Sequence, residues 1–207
     1  MKKDGENDSN ETTLVHCRRP PVHGFRERTG PSEDLSRERI AWDIIENMRD
    51  DFLYVIGQGK ISRIIAKKLG LGEIHPGIDV YDKGKNVASD AGTTEVIDLI
   101  KKKKAKLLIE LSGGLGLLSD TGGRSISPEI IREIGRENIV TMATPDELAS
   151  LNGSPLIVDS SDVAVDEMLS GYHNVITGYR KRAVYKLVSR SRESSEPEIR
   201  EINKTRY

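Results

Sequence analysis

The residue types best suited to ligand chemistry lie in the segment ELSGGLGLLSDTGGRSIS, residues 110–127, between a predicted strand and a predicted helix. Backbone N–H groups at such a turn can point at an anion, and the helix N-terminus adds a partial positive charge. Asp120 could bind a metal ion or accept a hydroxyl proton, and Arg124 could pair with phosphate oxygens. The alternative is a surface loop whose glycines only provide flexibility. The residues predicted to contact a phosphate-bearing ligand are Gly113, Gly114, Gly116, Asp120 and Arg124.

A second glycine cluster, Gly57-Gln58-Gly59-Lys60-Ile61-Ser62, follows the apolar run of residues 52–56. Gly57 and Gly59 would allow a tight turn, Lys60 carries charge, and Ser62 supplies a hydroxyl at the helix start. The spacing departs from a Walker A loop and from the dinucleotide fingerprint, whose third glycine position holds Ser62. We interpret these four residues as ligand contacts, with a tight strand-to-helix turn that binds nothing as the equal alternative.

Asp79 lies about twenty residues after this turn, near the end of the predicted strand Gly77–Tyr81. An acidic residue at that place can accept hydrogen bonds from ribose hydroxyls. The structural alternative is a carboxylate that caps the turn around Asp82.

Strand and helix patterns alternate through residues 36–190, and this predicts a single α/β domain with a mostly parallel sheet, helices on both faces and a C-terminal antiparallel hairpin. Ligands bind such sheets outside the carboxyl ends of strands, where both glycine clusters fall. Residues 1–35 are polar and predict a disordered tail, and residues 191–207 predict a frayed one. The predicted strands are Phe52–Ile56, Gly77–Tyr81, Lys106–Leu111, Asn138–Ala143, Pro155–Asp159, Asn174–Tyr179 and Arg182–Ser189. The predicted helices include Ser36–Arg49, Thr94–Lys103, Asp162–Leu169 and two that start after Ser127 and Thr144.

The composition excludes several classes of function. The net charge is -1 and aromatic residues make up 4%, so we expect neither a nucleic acid nor a membrane surface as a partner. The single Cys17 forms no internal disulfide framework and fits a reducing, cytoplasmic location. The four histidines have no metal-ligand spacing, and no G-x-S-x-G motif is present, so a structural zinc site and a serine hydrolase are disfavoured.

From Phe52 onward the chain resembles the C-terminal region of the archaeal-type ATP-NAD kinases and the related acetoin-catabolism X proteins. The matching pieces are VIGQGKISRIIAKKLGLG, GIDVYDKGK, DAGTTEVIDLI, GG-x-G, ISPEIIREIGRENIVTMATPDELASL, PLIVDSSD and GYHNVITGYRKRAVYKLV. The resemblance implies NAD and ATP as ligands, together with a divalent metal ion such as Mg²⁺. It also implies phosphoryl transfer from a nucleoside triphosphate to the adenosine ribose 2′-hydroxyl of NAD, which gives NADP.

The chain departs from that family in two places. The Gly-Gly-Asp-Gly-Thr motif of the family's catalytic N-terminal half occurs nowhere in the sequence. The family's aromatic residues and its Arg-Gly-Asn-Gln-Gln run are replaced in Leu117–Ser125 by LLSDTGGRS. We therefore expect a nucleotide-binding protein whose catalytic half is supplied by a separate subunit, with homo-oligomerisation as a further option. The alternative is a non-catalytic nucleotide-binding regulatory or structural subunit.

Overall fold

The computed structural model describes residues 33–71, 78–111 and 126–190. Its strands are β1 (Leu53–Ile56), β2 (Ile78–Asp82), β3 (Lys85–Ala91), β4 (Ala105–Glu110), β5 (Ile139–Met142), β6 (Leu156–Val158), β7 (Gly171–Gly178) and β8 (Lys181–Ser189). Its helices are α1 (Glu33–Glu46), α2 (Lys60–Leu69), α3 (Thr93–Ile100), α4 (Pro128–Ile134), α5 (Pro145–Ser150) and α6 (Val163–Leu169). A short 3₁₀ helix, Arg136–Asn138, leads into β5.

All eight strands form one sheet in the order β3-β2-β1-β4-β5-β7-β8-β6. The central strands β1, β4, β5 and β7 are parallel to one another. The hairpin β7–β8 is antiparallel, and β6 pairs with β8 in parallel. The predicted mostly parallel α/β fold with its C-terminal hairpin is therefore confirmed.

Helices cover the sheet from both sides because alternate residues of each strand point to opposite faces. Helices α1 and α2 pack through Ile40 and Ile65 on the face that holds Ile56, Leu108 and other buried residues. Helices α3, α4 and α6 pack on the opposite face, where they contribute to the larger apolar cluster. Strand β1 and residues 107–109 of β4 are buried on both sides, which explains their apolar sequences.

The helix starts follow the predicted capping. Ser127 caps α4 with Pro128 in its first turn, and the Ser127 side chain accepts a hydrogen bond from the Ile130 amide. Thr144 and Glu147 form the complete capping box of α5. Helix α1 begins at Glu33, three residues before the predicted Ser36, whereas residues 1–32 and 191–207 lie outside the described part of the chain.

The segment after Asp82 differs from the sequence prediction. The turn predicted at residues 82–85 is present as the hairpin turn of Lys83 and Gly84, but the edge strand β3, which was not predicted, follows it before the helix α3. Strand β2 consequently runs antiparallel to β1, with Ile56 opposite Asp79. This antiparallel pairing brings the start of β2, and not its end, to the carboxyl edge of β1.

Candidate functional site

Strands β1 and β4 form a topological switch point at the carboxyl edge of the sheet. They are neighbours in parallel register, with Ile56 opposite Leu108. The chain leaves β1 towards α2 on one face, and after β4 it reaches α4 on the other face. Diverging connections of this kind open a crevice outside the strand ends, and α/β proteins bind ligands there.

The first glycine-rich segment and the described residues that flank the second one lie at this crevice. A Cβ atom added to Gly57 would lie 3.1 Å from Cδ1 of Ile126 and 3.8 Å from the carbonyl oxygen of Leu108. Ile126 is the first described residue after the segment that contains Gly113, Gly114, Gly116, Asp120 and Arg124, all of which lie outside the described residues. The flanks of the second segment therefore lie against the β1–α2 turn.

The carboxylate of Glu110, the last residue of β4, occupies the N-terminus of α2. Its Oε2 accepts hydrogen bonds from the backbone N–H of Ile61 at 2.8 Å and of Ser62 at 3.5 Å. A Cβ atom added to Gly59 would lie only 1.9 Å from Oε2. The absence of a side chain at Gly59 therefore allows the close approach of a side chain from within the protein, in the tight turn that the sequence predicts.

Strand register explains why Glu110 reaches α2. Leu108 pairs with Ile56, the last residue of β1, so Glu110 extends two residues beyond the end of that strand. Residues two apart on a strand share a face, and Leu108 faces the layer of α1 and α2. Burial raises the pKa of Glu110, and the negative charge of Glu147 adds to the increase, although backbone N–H groups at the start of α2 oppose it.

An Arg–Glu pair lies beside this carboxylate. Arg37 of α1 is buried, with a side chain that is 5% exposed, and its Nη2 lies 3.9 Å from Oε1 of Glu147. Arg37 also pairs with Glu33 and Asp34 in its own helix. Oε2 of Glu147 accepts the Thr144 amide, so α5 fixes the position of this side chain. Glu147 therefore interacts electrostatically with Glu110 and is itself paired with the buried Arg37.

Comparisons with protein-family models, curated proteins and solved structures gave no match to this chain. The resemblance to the ATP-NAD kinases accordingly stays a prediction, and the site is interpreted from its own geometry.

The residues predicted on the β1–α2 turn have different environments. The Lys60 side chain is exposed beside the crevice, so it is free to reach a ligand. Ser62 is fully buried, and its hydroxyl has no hydrogen-bond partner among the described residues. Gly57 is buried against Ile126. Of the predicted contacts on this turn, only Lys60 therefore presents a polar side chain to solvent.

Asp79 is buried next to the same edge, with 3% of its surface exposed. Its Oδ1 accepts the backbone N–H of Asp90 at 3.3 Å. Asp90 has a positive φ of 53°, and the β2–β3 register shifts nearby. The carboxylate of Asp79 thus supports an irregularity of β3, and its predicted role as a ribose acceptor stays a prediction.

A cavity of about 470 Å³ lies at the opposite edge of the sheet, around the start of β4. The run Lys101–Lys104 lines one side, and Glu133 and Glu137 lie on the other. Of these lysines, Lys103 is held by Asp82 at 2.5 Å. This cavity is the structural alternative to the crevice as a place for an anionic ligand, and it provides a control position for binding experiments.

Neither a metal-ligating cluster nor a membrane-spanning helix occurs among the described residues. No group of three or more His, Cys, Asp or Glu side chains converges there in a way that could hold a metal ion. None of the helices in residues 33–71, 78–111 and 126–190 has the length and apolar character needed to cross a membrane.

Sequence reasoning missed Glu110 as a site residue. It was counted as the start of the glycine-rich stretch, and its acidic side chain received no role. The available signal was a single carboxylate at the end of the apolar strand Ala105–Glu110, directly before a segment predicted to bind a ligand. A charged residue at the end of a central parallel strand normally points into the crevice or caps a neighbouring helix.

Proposed function

We propose that the protein binds a nucleotide, NAD or ATP, at the carboxyl edge of β1 and β4. We also propose that it contributes to phosphoryl transfer to NAD only together with a separate subunit that carries the catalytic half. The observation that supports the site is the packing of Gly57 against Ile126, because it brings the described flank of the second glycine-rich segment next to the first at a topological switch point. The resemblance of the chain from Phe52 onward to the ATP-NAD kinase C-terminal region supports the choice of ligand.

In the proposed reaction, the 2′-hydroxyl oxygen of the NAD adenosine ribose forms a bond to the terminal phosphorus of ATP. The bond between that phosphorus and the ADP oxygen breaks, and a base takes the hydroxyl proton. The chain lacks the Gly-Gly-Asp-Gly-Thr motif, so the base belongs to the separate subunit. This division is physically feasible because phosphoryl transfer depends mainly on positioning and charge neutralisation.

The described carboxylates do not fit a resident Mg²⁺ site. Mg²⁺ requires near-octahedral oxygen coordination, and Oε2 of Glu110 is already bound by two backbone N–H groups. The metal ion of the proposed reaction would therefore come with the ATP phosphates or with the other subunit. NAD, ATP and the single Cys17 are consistent with the cytoplasm as the location.

A non-catalytic regulatory subunit is the second candidate, and a specific observation favours it. The anion position at the N-terminus of α2 is taken by Glu110, and Leu117–Ser125 lacks the polar side chains of the resembling family. A protein of this kind would bind the nucleotide and change the activity or assembly of its partner without transferring a phosphoryl group.

Calorimetric titration of the full chain with NAD, NADP and ATP tests the binding site. We expect binding of at least one of them, with an affinity that the Lys102→Ala variant leaves unchanged. Lys102 lines the cavity at the opposite edge of the sheet, so this substitution is a control for non-specific charge effects. If Lys102→Ala weakens binding by about tenfold, the ligand binds in the lysine cavity and the proposed site is wrong. If none of the three ligands binds, the function itself is wrong.

The activity test mixes the chain with NAD, ATP and Mg²⁺, alone and with a protein that carries Gly-Gly-Asp-Gly-Thr. We expect NADP only in the mixture of the two proteins. Nucleotide binding without NADP under either condition would leave the regulatory candidate. Light scattering of the chain alone and of the mixture would then distinguish a homo-oligomer from a complex of two different subunits.

A further inference from the structure

The β1–α2 turn already contains an anion that belongs to the protein. Helix N-termini attract anions because their first backbone N–H groups have no partner within the helix. In α2, Glu110 takes up this capacity through hydrogen bonds of 2.8 Å from Ile61 and 3.5 Å from Ser62. The missing side chain of Gly59 provides the necessary room, since an added Cβ would lie 2.7 Å from Cδ of Glu110.

Among the described residues, Gly57 and Ser62 of this turn are closely packed and offer a phosphate group little space. Gly57 is closed in by Ile126 and by the Leu108 carbonyl oxygen. The Ser62 hydroxyl is fully buried. A phosphate that approached Glu110 would also meet like charge from the carboxylate itself and from Glu147, whose charge acts on Glu110. The lack of space and the like charge therefore both disfavour a phosphate group in this turn.

The carboxylate has a partly exposed position from which it can accept further hydrogen bonds. The hydrogen bonds from Ile61 and Ser62 both end on Oε2, and Glu110 is neither fully buried nor fully exposed. An ionised carboxylate accepts only, with about four lone-pair sites, so it suits hydroxyl donors and repels phosphates. Backbone N–H groups hold it in place, which reduces the entropy lost when a ligand binds.

We propose that Glu110 is a specificity-determining residue that keeps phosphate groups out of the β1–α2 turn and accepts a hydrogen bond from a hydroxyl-bearing, uncharged part of the ligand. The ligand half of this proposal rests on the proposed nucleotide-binding function, because the ribose is the hydroxyl-bearing part of a nucleotide. The exclusion half concerns the turn alone and is independent of that function.

The exclusion half is tested with inorganic pyrophosphate, titrated into wild type, Glu110→Ala and Glu95→Ala. Glu95 lies in the first turn of α3 and is exposed, so its removal changes the net charge equally without opening the α2 turn. We expect Glu110→Ala to bind pyrophosphate at least about tenfold more tightly than the other two proteins. Equal behaviour of all three proteins, whether each binds or none does, overturns the proposal.

The ligand half is tested with adenosine, NAD and ATP, titrated into wild type and Glu110→Gln. Gln fills the same space and retains a hydrogen-bond acceptor, so this variant also answers the objection that Glu110→Ala misfolds. We expect it to weaken the binding of adenosine and NAD by about tenfold, because a charged acceptor is replaced by a neutral one.

The two experiments distinguish a failure of the specificity role of Glu110 from a failure of the proposed nucleotide-binding function. Nucleotide binding that is equal in wild type and Glu110→Gln overturns the specificity role and leaves the proposed function standing. If no nucleoside or nucleotide binds wild type while pyrophosphate still binds Glu110→Ala selectively, the proposed function fails and the exclusion of phosphate by Glu110 is supported.

Discussion

Substitution of Gly59 by alanine tests the contact between the α2 turn and Glu110 most directly. The added Cβ would lie 1.9 Å from Oε2 and 3.1 Å from Cβ of Glu110. A carbon and an oxygen need more than 3 Å in ordinary van der Waals contact. The carboxylate must therefore move by more than 1 Å, which breaks its hydrogen bonds to the Ile61 and Ser62 amides.

The size of the effect follows from the bonds lost. Glu110 is partly exposed, so its carboxylate can turn towards solvent and relieve the clash. Gly59→Ala should then lower the free energy of unfolding by about 2 kcal/mol, because hydrogen bonds to a charged acceptor are lost. The backbone of Gly59 is extended, with φ of 160° and ψ of 167°. Backbone strain therefore adds little, and the lower entropy of the unfolded chain with alanine offsets up to about 1 kcal/mol.

A double-mutant cycle with Glu110→Ala isolates this contact, with urea unfolding as the assay. We expect Gly59→Ala to destabilise wild type by about 1–2 kcal/mol and to cost less than about 0.5 kcal/mol in the Glu110→Ala background. The matched control is Gly92→Ala at the N-terminus of α3, where an added Cβ meets no atom within 4 Å. Additive effects of Gly59→Ala and Glu110→Ala would refute the contact, because they would mean that the two residues do not interact.

Three further predictions concern stability. Burial raises the pKa of Glu110, so the folded state binds the proton of this carboxyl group more tightly than the unfolded state does. The free energy of unfolding of wild type in urea should therefore fall as the pH rises from about 4 towards the raised pKa. The same pH dependence in Glu110→Gln would contradict this prediction. Thr144→Ala should lower the free energy of unfolding, measured by thermal melting, by about 1 kcal/mol because the α5 capping box is lost, whereas Thr144→Ser should cost less. Equal losses of stability in the two variants would exclude the hydroxyl as the cause. The Asp43 side chain is 1% exposed and accepts a hydrogen bond from Arg182 at 2.6 Å, so Asp43→Asn should lower the free energy of unfolding in urea by about 2 kcal/mol. Glu38→Gln, in the partly exposed pair with Lys68, should cost less than about 1 kcal/mol. Similar values for both variants would show that burial does not strengthen the Asp43 pair.

The parts of the fold that could be predicted were those with a local physical signature. Strand β1 and residues 107–109 of β4 are buried on both faces, so their sequences are continuously apolar and can be recognised without tertiary information. Ser127 with Pro128, and Thr144 with Glu147, identify helix starts through bonds within a few residues.

Strand β3 could not be predicted because its stabilisation is not local. Its sequence KNVASDA buries only Ala88 and Ala91, and its pattern shows no apolar alternation. It forms because β2 offers a free edge and because Lys83 and Gly84, with φ of 45° and 82°, make a turn of two residues. Hairpin turns of this geometry are usually signalled by Asn-Gly or Asp-Gly, and Lys-Gly is a weaker sign.

The position of both glycine clusters next to the carboxyl edge could be expected from the sequence. The occupation of the α2 N-terminus by a carboxylate of the protein could not. Both glycine clusters were expected at the carboxyl edge, and the contact of Gly57 with Ile126 joins their described flanks there. Whether the α2 turn is open to a ligand depends on Glu110, whose amide partner Ile61 is 49 residues away in sequence. A contact between residues so far apart in sequence depends on β4 lying next to β1 in the sheet. The sequence pattern did not specify which strand is the neighbour of β1.

A glycine before a helix N-terminus has two physical explanations, and strand register distinguishes them. A ligand phosphate and an internal carboxylate both need close approach to the backbone and the same N–H donors, so the turn sequence is identical in the two cases. The difference lies on the neighbouring strand. Glu110 stands two residues beyond Leu108, the partner of Ile56, and so it points to the face on which α2 begins. An acidic residue at this position of the neighbouring strand predicts that a side chain of the protein occupies the helix N-terminus. A small or apolar residue at the same position would leave the backbone N–H groups free for a ligand.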